Sequence, residues 1–145
     1  MHDAPFIRLN IIIHFAHLIL MRTILLKSHF ISHWDHTGGN LELKKDGVKV
    51  YGPATEREKI PGIDVTLKEG DKVKFGTTEA TVMEVGGHTR GHIAYHFPTE
   101  SKVFCGDALF ALGCGRMFEG TPTQFWTSLT RLRDLPDDTL VYWYV

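Results

Sequence analysis

The stretch His33-Trp34-Asp35-His36-Thr37-Gly38-Gly39-Asn40 constrains this chain more than any other. It places His33, Asp35 and His36 within four consecutive positions. Two imidazoles and a carboxylate suit zinc or iron at a hydrolytic site. Gly38-Gly39 behind them lets the backbone turn tightly around whatever the side chains hold. Histidine and aspartate are also common in plain loops, so the motif alone leaves a bland reading open. Two later segments add weight to the metal reading. One is Gly87-His88-Thr89-Arg90-Gly91-His92; the other is Val103-Phe104-Cys105-Gly106-Asp107, an apolar strand ending in an acid. A fold that uses all three segments must bring them to a common rim.

In this order the segments resemble the metallo-β-lactamase superfamily, whose pattern is H-x-H-x-D-H, then a His in a G-H-T-x-G-H turn, then an Asp at a strand end. The run Gly113-Cys114-Gly115-Arg116-Met117-Phe118-Glu119-Gly120-Thr121 is similar to the glyoxalase II branch, the hydroxyacylglutathione hydrolases. The resemblance extends from about Ser32 to Leu140. It implies an αββα sandwich and hydrolysis of S-lactoylglutathione to lactate and glutathione, a step of methylglyoxal removal. It also implies a pair of zinc ions, with iron or manganese as alternatives. By position, His33 and His88 belong to the first metal, Asp35 and His36 to the second, and Asp107 bridges them. Two cations about 4 Å apart lower the pKa of a water between them and polarise the acyl oxygen. Asp35 and Asp107 are the catalytic carboxylates on this reading. Arg116 and Phe118 fall where the family holds the glutathione moiety, and a cation there suits a carboxylate of the tripeptide. Phe118 replaces the family's usual Tyr, which removes a hydroxyl.

The chain departs from the pattern at Ile31, where the family has its first His. His29 could substitute only if the backbone looped back. The family's last ligand follows the terminal strand, which here is Val141-Tyr142-Trp143-Tyr144-Val145. The family's N-terminal strands and its C-terminal substrate-binding segment have no counterpart. Each metal is thus expected to lack one protein ligand, and metal binding to be weak. The sequence reads as a truncated or variant form of the fold, incomplete at both ends. Two alternatives stay open: a metal-poor, non-catalytic fragment, and a persulfide dioxygenase-like iron protein.

Length and composition set the remaining bounds. A chain of 145 residues predicts one domain. A net charge of −1 offers no bulk attraction to nucleic acid or a membrane surface. The resemblance implies a small-molecule partner, a glutathione thioester, and a monomer is expected. Cys105 and Cys114 form no disulfide framework, which favours a reduced compartment. The cytoplasm is expected, with mitochondrion and plastid as further options. Residues 6–26 are strongly apolar, but Arg8, His14, His17 and Arg22 interrupt them. They read as buried strands or a core helix rather than a membrane span, which needs about 20 apolar residues, or a signal peptide.

Periodicity supplies the elements. A short helix is predicted over 40–45, packed by Leu41 and Leu43. Strands are predicted over 23–26, 48–51, 65–67, 72–75, 80–85, 93–97, 102–105 and 140–145, with a charged turn over 54–59 and a loop over 113–115. Thr121 and Pro122 open an amphipathic helix that runs to Leu135 on Phe125, Leu129 and Leu132. Trp34 and Trp126 are expected to pack, Cys105 to be buried, and His92 to support its loop by hydrogen bonding. His2, His14, His17 and His96 lack partners at ligand spacing.

Overall fold

Strands that are apolar on both sides need cover on both sides, and that requirement organises this molecule. The structure, a computed structural model, describes residues 26–143. The apolar run before Leu26 and the last two positions of the expected terminal strand lie outside the described residues.

In chain order the elements are β1 (Leu26–Ser28), α1 (Trp34–Thr37), α2 (Asn40–Lys45), β2 (Lys49–Pro53), a 3-10 turn (Ala54–Lys59), β3 (Val65–Leu67), β4 (Lys72–Phe75), β5 (Thr78–Glu84), β6 (Ile93–Phe97), β7 (Lys102–Gly106), β8 (Leu109–Phe110), β9 (Gly113–Cys114), α3 (Pro122–Arg133) and β10 (Leu140–Trp143). A three-stranded parallel sheet has the order β1-β2-β3. A five-stranded sheet has the order β10-β7-β6-β5-β4, antiparallel except where β10 runs parallel to β7. β8 and β9 form a small hairpin of their own.

Alternation along β5, β6 and β7 feeds two cores. Ala80, Val82, Ile93 and Tyr95 pack with Leu67 and with Leu26, Tyr51 and Val65 of the smaller sheet. Met83, Ala94, Val103 and Cys105 pack with Phe125 and Leu132 of α3. α2 lies against β2. The layers are therefore helix, sheet, sheet, helix, the αββα arrangement.

Thr121 caps α3 as its sequence suggests, its Oγ1 accepting from the Gln124 amide at 3.1 Å. The helix ends at Arg133, short of Leu135. Cys105 is fully buried, and burial pushes its thiol up to about 12.

Three expectations are corrected. Leu41 and Leu43 do not pack α2; they are 61% and 37% exposed. Asn40 faces inward instead, because its amide bonds both the His29 ring at 2.7 Å and the Pro61 carbonyl at 2.9 Å. Trp34 and Trp126 are 83% and 66% exposed rather than packed, since each sits on the outer face of its helix. The 113–115 loop is partly ordered as β9. Among the described residues no helix is long and apolar enough to cross a membrane.

Candidate metal centre

Three chain turns at one edge of the sandwich carry the motif side chains. The first follows β1, where His33 stands at the N-cap of α1 in an extended conformation. Its carbonyl accepts from the His36 amide at 3.0 Å and from the Thr37 amide and hydroxyl, both at 3.1 Å. That tight turn puts Asp35 and His36 in the first helical residues. The second turn leaves β5 through Gly86-Gly87. A Cβ on Gly87 would fall on the Phe125 ring, and its φ of +153° lies in the region that favours glycine. The third leaves β7 through Gly106, at φ +52°, where a side chain would meet Phe30 at 2.9 Å and His92 at 3.0 Å.

His33, His88 and Asp107 offer ligand atoms that all lie within 4.8 Å of one another. Asp107 Oδ2 is 3.3 Å from His88 Nε2 and 3.5 Å from His36 Nε2. Asp35 Oδ2 is 3.9 Å from His36 Nε2, and its side chain is half open to solvent. Ile31, at the family's first ligand position, is fully buried, and so is nearly all of His29. His29 spends its Nε2 on Asn40, away from this group.

The His88 tautomer is fixed by its surroundings. Its Nδ1 lies 2.7 Å from the Arg116 carbonyl, which can only accept, so Nδ1 carries a proton in either protonation state and Nε2 is left for a metal or a second proton. Outer carbonyls that orient a ligating imidazole in this way are common at metal sites. Burial pushes His88 down, but Asp107, the Arg116 carbonyl and Glu56 together raise it above the ordinary value. Burial pushes the Asp107 carboxyl up, yet His36 and His88 hold it well below the usual carboxylate range. His88 Nε2 and Asp107 Oδ1 are buried with no hydrogen-bond partner. Convergent buried imidazole and carboxylate atoms need a proton or a cation between them, and this donor set suits a divalent cation.

The loop from Gly113 to Gly120 wraps the His88 turn. The Phe118 amide donates to the His88 carbonyl at 3.1 Å, and the Gly120 amide to the Gly87 carbonyl at 3.2 Å. Arg116 is exposed, with its guanidinium 5.0 Å over the Phe118 ring. Phe118 meets the His33 and His88 rings edge-on at 5.5 and 5.2 Å, so its ring borders the cluster.

Two things escape the sequence. One is the Arg116 carbonyl, a backbone group that no side-chain motif marks. The other is Glu56, 3% exposed, whose carboxylate accepts from the Ser32 and Gly91 amides. It sits in Thr55-Glu56-Arg57-Glu58-Lys59, within the stretch that reads as a charged turn, where nothing marks one acid for burial. The expectation for His92 is also corrected: neither ring nitrogen has a hydrogen-bond partner, and the fully buried ring supports its loop by packing, 6.0 Å from the His88 ring.

These buried rings give the fold a pH dependence. Burial pulls His29 down to about 4 and His92 down to about 3. An unfolded histidine titrates near about 6.5, so between those values the unfolded chain binds more protons than the folded one. Stability is therefore complete above that range and is lost as pH falls. With a chelator present, the thermal midpoint is expected to drop steadily from pH 7 to pH 4. A flat profile would contradict the burial of both rings.

Residues 32–142 match the family description "Metallo-beta-lactamase superfamily". The hydroxyacylglutathione hydrolase of Hyphomonas neptunium is 55% identical over 114 residues, covering 77% of this chain and 44% of that protein. That of Rhodospirillum rubrum is 52% identical over 121 residues, covering 83% and 46%. The chain thus spans less than half the length of these curated relatives. Among solved structures, ETHE1 from Myxococcus xanthus superposes with a TM-score of 0.72 at 34% identity, over 81% of this chain and 52% of that one. TTHA1623 in a di-iron-bound form gives 0.69 at 28% identity, over 83% and 69%.

Proposed function

Starting from the fact that this chain belongs to the metallo-beta-lactamase superfamily, we propose that it is a metal-dependent thioester hydrolase of the hydroxyacylglutathione hydrolase type. Its ancestry is that of a hydrolase, and the relatives near half identity carry that name. One observation carries the reading for this chain. A single Asp107 oxygen stands within 3.5 Å of both His88 Nε2 and His36 Nε2, so one carboxylate adjoins an imidazole from each half of the proposed centre. In this proposal His33, His88 and Asp107 would hold one ion, and Asp35, His36 and Asp107 would hold a second. Zinc suits the donor set, with iron or manganese as alternatives.

A divalent metal supplies Lewis acidity toward the thioester carbonyl and toward water. The chain's own residues do the rest. Asp35, open to solvent beside His36, orients the attacking water and takes its proton. Water adds to the acyl carbon, the carbon–sulfur bond breaks, and a hydroxy acid and glutathione leave. A thiolate departs readily, so no strong general acid is required. Arg116 meets a glutathione carboxylate, and the Phe118 ring closes the side of the cluster to water.

The test is elemental analysis of purified protein paired with an S-lactoylglutathione assay. Bound metal and turnover that follows its occupancy are expected. Protein that holds no metal after incubation with zinc, iron or manganese would overturn the proposal and support the non-catalytic fragment. The persulfide dioxygenase-like reading has one observation behind it: His33, His88 and Asp107 alone make a two-histidine, one-carboxylate set. Oxygen uptake with glutathione persulfide, in place of thioester hydrolysis, would favour it.

Arg116→Ala separates the two roles of that residue. The substitution keeps the carbonyl that orients His88 and removes only the guanidinium. KM for the glutathione thioester is expected to rise about tenfold, the scale of one charge-assisted hydrogen bond, with kcat little changed. An unchanged KM would leave Arg116 without a part in substrate binding.

A further inference from the structure

We propose that Glu56 is a positioning residue for the metal centre: its buried carboxylate ties the His33 loop to the His88 loop and holds their imidazoles at ligand distance. The inference rests on the metal-site reading above and adds to it a residue outside the motifs.

The two loops come from different sheets. The His33 loop follows β1 of the three-stranded sheet, and the His88 loop follows β5 of the five-stranded one. Glu56 lies between them, on the 3-10 turn after β2. Its Oε2 accepts from the Ser32 amide at 2.7 Å, next in sequence to His33. Its Oε1 accepts from the Gly91 amide at 2.9 Å, at the end of the turn that begins with His88. One carboxylate thus receives one backbone N–H from each ligand-bearing loop. The His33 and His88 ring centroids are 4.9 Å apart.

The neighbourhood is shaped for this carboxylate. A Cβ on Gly91 would fall on the Thr55 hydroxyl and come within 2.7 Å of Glu56 Cγ, so only glycine lets the loop approach so closely. A buried carboxylate is costly unless its oxygens are satisfied, and both oxygens of Glu56 are. Phe30 and Ile93 make a further backbone bond between the same two segments, at 3.0 Å. That bond lies farther along the chain from both histidines, so it sets the docking of the segments and leaves the ligand turns to Glu56.

The experiment uses the full chain and the variants Glu56→Gln and Glu56→Asp. Zinc affinity is read by competition with a chromophoric chelator, and ligand geometry by the visible spectrum of the cobalt-loaded protein. Both are measured at a temperature where circular dichroism shows every variant fully folded. Glu56→Gln turns one acceptor into a donor that faces a backbone N–H. Glu56→Asp is too short to reach both amides. Each is expected to raise the zinc dissociation constant at least about tenfold and to alter the cobalt spectrum, as outer-sphere losses do. Folded variants whose zinc affinity and cobalt spectrum match the parent would overturn the proposal and leave Glu56 a purely structural residue. A parent that takes up neither metal would instead overturn the metal-site reading, and the clamp with it. Should both variants fail to fold, amide exchange in the parent decides: protection at Ser32 and Gly91 that increases on zinc addition supports the clamp, and unprotected amides overturn it.

Discussion

On the proposed function, Asp107→Asn is expected to strip the protein of metal and to lower thioester hydrolysis at least about a thousand-fold, while the fold survives. Losing an outer-sphere partner costs about 10–100-fold in metal affinity, and removing the carboxylate proposed to serve both halves of the cluster should exceed that. Asn matches Asp in shape, so packing around Ala108 and Gly106 is preserved. Its amide group, however, is a donor. Placed where Oδ2 now stands, it would face His88 Nε2 and His36 Nε2 with a partial positive charge. The ion pair that keeps the Asp107 carboxyl below its usual range also disappears. That pairing contributes stability above the ordinary carboxylate pKa and loses it as pH falls, so the metal-free variant should also lack this acid-side transition. Elemental analysis and circular dichroism on the same sample check the prediction. An Asn variant that keeps parental metal content would remove Asp107 from the centre.

The parts of the candidate site that are legible in the sequence are those where the proposed metal centre needs a particular side chain at a fixed local spacing. His33, Asp35 and His36 fall in one turn, and His88 and Asp107 each follow a strand through glycine. Strand positions were readable for the same local reason, because β3, β4 and β6 begin and end where composition and turn residues change. The order of strand runs and helices already fits two face-to-face sheets with helices outside, and only the specific αββα identity comes from the family resemblance. What escaped depends on contacts between distant residues. Glu56 bonds amides 24 and 35 residues away, and His88 is oriented by a carbonyl 28 residues on. Backbone groups have no residue type, so no pattern announces them. α2 misled for a related reason: Leu41 and Leu43 look like its core face, but a buried Asn40 with two good partners decides how the helix turns.

Gly115→Ala is the second large effect expected, and it tests the wrapping loop rather than a ligand. Gly115 is buried, and a Cβ there would fall on the Asp107 carbonyl oxygen and lie 3.0 Å from His88 Nδ1. A backbone carbonyl cannot swing aside as a side-chain tip can. The methyl must therefore displace the Asp107 segment, the His88 ring or the loop that presents the Arg116 carbonyl. Overpacking of this kind costs about 1–3 kcal/mol, and a rigid obstacle puts this site near the upper end. For a domain of this size that lowers the thermal midpoint by about 10 °C. Because the obstacle belongs to two of the proposed ligands, metal affinity should fall with it, at least about a hundred-fold. Gly113→Ala supplies the control, since a Cβ at that position meets nothing within 4 Å in the same loop. It should leave stability within about 0.5 kcal/mol and metal content unchanged. Thermal melts and metal analysis on both variants separate the outcomes, because a loop that merely covers the site would let the two alanines behave alike, whereas one that holds His88 and Asp107 in place makes only the Gly115 change severe.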